Sequence, residues 1–233
     1  MNKEEFIKEV TNLKIKIDDK KLEQLDKYYH LLYEENQKYN LTNITEEKDV
    51  YLKHFYGSLT ITKSIDLDNQ YICDIGTGAG FPGMVLKIIF PNLKIDLIDA
   101  TNKKCNFLNM VIEELKLENT SVINARAEEY SKENREKYDV VTSRAVAPLK
   151  HLLEYSIPLL KINGIFLALK SNIDEEIKNI ENYHKKLFLQ KETIIKFELP
   201  YEKSQRTIYK IEKYNHTPKI YPRMYSQIKK KDI

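Results

Sequence analysis

Four of the six glycines in this chain fall between positions 76 and 83, within the segment DIGTGAGFPG (74–83). Glycine loses more backbone freedom on folding than any other residue, so a cluster marks a sharp turn or the close approach of a ligand. The segment follows a strand-like run, YICDI, and precedes a helix-like one, Met84–Phe90, with Pro82 suited to an early helical position. Open parallel sheets bind ligands at the carboxyl ends of their strands, where this loop lies. Two spacings overlap in it. Gly78, Gly80 and Gly83 satisfy G-x-G-x-x-G, whose backbone amides receive a dinucleotide pyrophosphate. Asp74 with Gly76, Gly78 and Gly80 satisfies D-x-G-x-G-x-G, which suits S-adenosyl-L-methionine. The charges differ: a carboxylate at the strand end favours a sulfonium and an ammonium and disfavours a pyrophosphate. Asp74 therefore points to the methyl donor, with an NAD(P)-dependent oxidoreductase as the alternative.

Other residues fit the same site. Asp99 ends KIDLID, at the distance expected for an acid that accepts from ribose hydroxyls; a helix cap for the segment from Asn102 is its structural alternative. Ala127 and Glu128 open a short helix after SVINA, where an amide and a carboxylate can meet an adenine edge; a first-turn Glu also serves simply as a dipole partner. Arg144 follows YDVVTS and can grip a carboxylate or a phosphate in a planar, two-pronged way, or act as a surface salt bridge. No Asn/Asp-Pro-Pro-aromatic motif for an exocyclic amine follows that strand. Cys73 lies in a buried strand and Cys105 in a helix, as packing residues rather than nucleophiles. That leaves an acceptor needing no activation, such as guanine N7, with catalysis by proximity and alignment and no general base.

The elements that must position these residues alternate. Residues 1–66 read as a helical cap, with Phe6, Val10 and Leu13, then Leu22, Leu25, Tyr28 and Leu32, at helical spacing, and a third helix after Thr45 running through Leu59. From Tyr71 the runs YICDI, KIDLIDA, SVINA, YDVVTS and GIFLALK alternate with helical stretches at 82–90, 102–116, 126–131 and 148–161, the pattern of parallel strands with helical crossovers. After a helix at 174–188, strands at 191–199 and 206–214 are joined by a link too short for a crossover, which makes them an antiparallel hairpin. Five parallel strands and a hairpin predict an α/β fold of the class I S-adenosylmethionine-dependent methyltransferase type: Rossmann-like, with a seven-stranded, mostly parallel sheet over 67–214.

At 233 residues the chain suits one domain. No run of 18 apolar residues exists and the N-terminus MNKEEFIKEV is acidic where a signal peptide is basic. Two cysteines without CxxC spacing predict neither disulfides nor a metal site. A cytoplasmic monomer with no membrane partner is expected. The net charge of +3 is unevenly spread: residues 1–66 hold 11 lysines against 13 acids, whereas residues 210–233 hold seven bases against two acids. The tail, 215–233, carries Arg223 and Lys229, Lys230 and Lys231 among tyrosines, a mixture suited to RNA phosphates and bases. Truncation after Tyr214 is expected to weaken RNA engagement more than donor binding.

The segments YNLTNI (39–44), KHFYGSL (53–59), DIGTGAGFPG (74–83), NARAEEY (124–130), VVTSRAVAPL (140–149), PLLKINGIFLALK (158–170) and YPR (221–223) run in order through nearly the whole chain. Together they resemble the ribosomal RNA small subunit methyltransferase G family, also called the glucose-inhibited division protein B family. The resemblance implies methyl transfer from S-adenosyl-L-methionine to N7 of guanine 527 in 16S rRNA, within the small ribosomal subunit or its precursor. It implies donor contacts at Gly76, Phe81, Ala127, Glu128 and Arg144, with Asp99 at the ribose. The chain departs from the family at Gly57, where Asp is usual, and in its tail, MYSQIKKKDI. His54 is expected as a helix-packing residue. A non-catalytic donor-binding regulator is the third reading.

Overall fold

The computed structural model describes residues 1–233, the side chain of Asn179 apart. Seven strands form one sheet in the order β3-β2-β1-β4-β5-β7-β6. They are β1 (Tyr71–Ile75), β2 (Lys94–Asp99), β3 (Thr120–Asn124), β4 (Tyr138–Arg144), β5 (Leu160–Lys170), β6 (Thr193–Glu198) and β7 (Gln205–Glu212). β1 to β5 pair in parallel, and β7 lies antiparallel between β5 and β6. A dinucleotide-binding sheet continues with a sixth parallel strand instead. The central strand is buried on both sides: Ile72 faces one core and its neighbour Cys73 the other, as the two-residue period of a strand requires.

The cap covers the first face. Helices α1 (Lys3–Asn12) and α2 (Asp19–Tyr39) are capped by Asn2 and Asp18, whose side chains accept from Glu5 and Lys21 amides. A third helical run changes pitch along its length: α3 (Glu47–Asp49), a π-helical stretch Val50–Tyr56, α4 (Gly57–Leu59) and a 3-10 turn Thr60–Lys63. The sequence pattern expects one ordinary helix here; the π-helical turn instead buries Tyr51, Leu52, His54 and Phe55 together, a departure often found at functional sites. On the same face lie α5 (Gly83–Ile89) and α6 (Asn102–Leu115).

The opposite face carries α7 (Ala127–Glu133), α8 (Leu149–Ser156), α9 (Glu181–Leu187) and, in the tail, α10 (Tyr225–Lys230). The helix expected over 148–161 stops earlier. It ends at Ser156, a 3-10 turn spans Ile157–Leu159, and β5 starts at Leu160 opposite Tyr138, with an irregular register before Val140. The helix expected over 174–188 is a 3-10 turn, Glu176–Asn179, followed by α9. The tail is folded, with Tyr221, Ile228 and Ile233 in the second core.

Candidate functional site

Asp99, Arg144 and Lys170 end β2, β4 and β5, and the glycine loop leaves β1 on the same edge. Gly76, Gly78 and Gly80 hold φ of 64°, 63° and 106°, values that side chains rarely adopt. At two of them close approach adds a second reason. A β-carbon on Gly76 would meet Val146 at 2.6 Å, and one on Gly80 would meet Tyr28 Oη at 2.5 Å. The Tyr28 hydroxyl donates to the Ala79 carbonyl, and its ring packs 5.6 Å from those of Phe55 and Phe81. The cap therefore clamps the loop from behind, and Gly80, expected in the donor site, is the point of that clamp. At Gly78 a β-carbon meets no protein atom nearer than the Gly76 carbonyl at 4.0 Å, so the open side of the loop is a cradle.

Asp74 has a different part from the one its spacing suggests. It is fully buried, and its Oδ2 accepts from Thr77 Oγ1 at 2.7 Å and from the Gly83 amide at 2.8 Å, stapling both ends of the loop. Its Oδ1 has no partner. Burial pushes the carboxyl up to about 7, against the pull of those two hydrogen bonds and of Arg144. Asp99 ties the loop to the next strand, its Oδ2 accepting from the Gly78 amide at 3.0 Å and its Oδ1 from the Thr101 amide at 2.8 Å. Thr101, not Asp99, occupies the cap position of α6.

A cavity of about 200 Å³ opens beside the loop, lined by Gly76, Asp99, Ala127 and Glu128 together with Val146, Ala147, Tyr155 and Tyr225. Four of the expected donor contacts thus line one cavity. Phe81 and Arg144 lie apart from them, in a second cluster that the sequence does not announce. The His54 ring stacks on Phe81 at 4.1 Å with planes 9° apart, and the Arg144 guanidinium carbon lies 5.3 Å from the same ring. Arg144 Nη2 reaches His54 Nδ1 at 2.7 Å, Nη1 donates to the Lys53 carbonyl at 3.0 Å, and His54 Nε2 meets Thr42 Oγ1 at 2.9 Å. Burial first, then Arg144 and Lys53, hold His54 down to about 3, so it is neutral and accepts at Nδ1. Burial also lowers Arg144 to about 10, which leaves it cationic.

A second cavity of about 270 Å³ lies on the other side of β4, lined by Arg144, Ala145, Lys170, Phe197, Arg206 and the His54 helix. The strip 144–147 separates the two spaces: Arg144 and Ala145 face one, Val146 and Ala147 the other. Ala145, at φ 54°, makes the reversal.

The residues fit a sulfonium donor. An open cradle at Gly78, an orphaned buried carboxylate oxygen at Asp74, and Asp99 at the strand end suit adenosine bearing a cation. Cys73 and Cys105 are both buried with thiols raised by burial, which disfavours the thiolate. The tail is split. Lys229, Lys230 and Lys231 are exposed. Arg223, expected on RNA phosphate, is committed elsewhere: Nε and Nη2 each donate at 2.7 Å to Glu154, a fully buried carboxylate that needs a partner.

Comparison with known proteins agrees with this fold. The fold matches that of an S-adenosylmethionine-dependent methyltransferase from Aquifex aeolicus (TM-score 0.54, 15% identity, 74% of this chain and 97% of that one). It likewise matches M. jannaschii TYW2 solved in complex with AdoMet (TM-score 0.54, 17% identity, 67% and 76%). The ribosomal RNA small subunit methyltransferase G of Bacillus velezensis is 47% identical over 227 residues, covering 96% of this chain and 95% of that protein. That of Mesoplasma florum is 49% identical over 216 residues, covering 89% and 88%. Residues 21–208 match the family model described as GidB, rRNA small subunit methyltransferase G, and the chain belongs to that family.

Proposed function

We propose that this chain methylates N7 of guanine 527 in 16S rRNA, acting as a cytoplasmic monomer on the small ribosomal subunit or its precursor. The observation that carries the reading is the pair of cavities meeting at the 144–147 strip, one suited to a nucleoside and the other cationic. S-adenosyl-L-methionine supplies a methyl group activated by its sulfonium. Gly76, Gly78, Asp99, Ala127 and Glu128 hold the adenosine half, and Phe81 and Arg144 border the methionine half. Guanine N7 carries an in-plane lone pair and no proton, so the protein needs no general base. Its work is alignment: Arg144, held by His54 and the Lys53 carbonyl, orients an anionic group beside the reacting atoms. Lys229, Lys230 and Lys231 add exposed charge for RNA backbone.

The oxidoreductase reading is disfavoured by the antiparallel β6–β7 hairpin and by Asp74 beneath the loop. Calorimetry with S-adenosylmethionine and with NAD tests the cradle directly: the wild type binds the first and not the second, and Gly78→Val abolishes the binding. Affinity unchanged in Gly78→Val contradicts the placement. A donor-binding regulator would bind and transfer nothing.

A further inference from the structure

The second cavity contains four cationic side chains, and they divide into two kinds. Lys53 is held by Asp49 at 3.2 Å and Glu202 at 3.0 Å, and Lys170 by Glu176 at 2.7 Å. Arg144 and Arg206 have no carboxylate within ion-pair distance among the described residues. Arg144 is met only by a neutral imidazole and a carbonyl, and Arg206 donates to its neighbouring Gln205 carbonyl at 2.8 Å. Beyond the effect of burial, Asp74 and Tyr28 act on Arg144 to favour its charge and Arg206 acts to oppose it, so the two guanidiniums repel each other across the cavity. Two like charges, both half-buried, face a shared space with no carboxylate close enough to pair with either, an arrangement that costs stability unless an anion completes it. The rest of the lining sets the apolar side chains of Ile44, Leu169, Phe197 and Ile208 beside the hydroxyl residues Thr60, Ser171 and Thr207. Apolar side chains and hydroxyls beside two guanidiniums match a nucleotide: a base against the apolar groups and a phosphate across the fork-shaped donors.

We propose that this cavity is the acceptor subsite, in which Arg206, from the hairpin strand β7, and Arg144 grip the RNA phosphate attached to the target nucleotide. The proposal rests on the methyl-transfer reading and adds Arg206 as a binding residue. It gives the hairpin a task, because β7 brings a cation to the cavity across β5 from β4. It also puts the acceptor on the opposite side of the 144–147 strip from the adenosine cavity.

The test compares wild type with Arg206→Ala, Arg206→Lys and Arg206→Glu. Donor affinity is measured by calorimetry, and methyl transfer to unmodified small subunits is measured over a range of salt. We expect donor affinity within about twofold of wild type in all three. The KM for subunits should rise roughly tenfold or more in Arg206→Glu and less in Arg206→Lys, in line with a charged contact of ~1.5–3 kcal/mol. The dependence of log kcat/KM on log salt should lose about one unit of slope in Arg206→Ala. An unchanged KM and slope overturn the subsite while leaving the methyltransferase reading intact, and so does an equal loss of donor binding. If the wild type itself transfers no methyl to subunits, the methyl-transfer reading falls, and the subsite is then judged on guanosine monophosphate alone. A shift of the Arg206 Nε–H resonance on titration to millimolar ligand supports the site, and its immobility overturns it.

Discussion

The Nδ1 of His54 lies 2.7 Å from Nη2 of Arg144 although 90 positions separate them in the chain. A neutral imidazole is the acceptor that lets a half-buried guanidinium keep its direction without being neutralised, and so leaves its charge for a ligand. His54→Phe keeps the stack on Phe81 and removes the acceptor. Loss of a hydrogen bond to a charged group, ~1.5–3 kcal/mol, predicts a roughly 10- to 100-fold fall in kcat/KM. His54→Asn, whose amide oxygen can replace Nδ1, should recover most of it. Equal activity of the Phe and Asn variants would mean that His54 only packs.

His54 and Asp74 give opposite pH dependences of stability. The His54 pKa falls from 6.5 to about 3 on folding, so its contribution is present above 6.5 and is lost as pH falls toward 3. The Asp74 pKa rises from 3.8 to about 7, so its contribution is present below 3.8 and is lost as pH rises toward 7. Over the shared window the two oppose each other, with a limiting slope of about 1.4 kcal/mol per pH unit each. Urea unfolding at a series of pH values should show the stability of wild type minus His54→Asn growing from 3.8 to 6.5. Wild type minus Asp74→Asn should shrink as pH climbs to 7. Parallel curves would contradict both assignments.

Donor affinity should respond to Asp74 in the other direction. The ionised carboxylate favours a sulfonium, so S-adenosylmethionine should bind more tightly as pH rises through about 7. S-adenosylhomocysteine, which lacks that charge, should show a weaker trend, and Asp74→Asn should flatten the curve for both. Calorimetry of the two ligands across that range is the check.

Arg223 tests whether the tail is part of the folded body. Removing it leaves Glu154 charged and fully buried, which costs about 3–5 kcal/mol when one partner of a buried pair is lost. Arg223→Ala should therefore lower the melting temperature, and Arg223→Met with Glu154→Leu should restore much of it. Truncation after Tyr214 should destabilise the whole protein, because Tyr221, Ile228 and Ile233 leave the core with it. A truncated chain with wild-type melting would refute this.

The sheet and its glycine loop were legible because strand runs, loop glycines and the short hairpin link are local signals. The β5 boundary was not: PLLK carries apolar residues that fit the end of a helix or the start of a strand, and pairing with Tyr138 decides it. The spacing of Asp74 marks it in the sequence, but its inward turn depends on Thr77 and Gly83 folding back over it. The partners of His54 and Arg223 were illegible for another reason. Each contact joins segments far apart in the chain, and a lone histidine or a tail arginine carries no sign of the group it will meet. Arg206 sits at an ordinary strand position, and only the fold sets it beside Arg144.

Purified protein incubated with labelled S-adenosylmethionine and small subunits lacking the modification, followed by mass-spectrometric mapping of the 16S rRNA, tests the account most directly. A single methyl group on N7 of guanine 527 is the predicted product. Label on another atom or nucleotide, or no transfer by a protein that binds the donor, would contradict it.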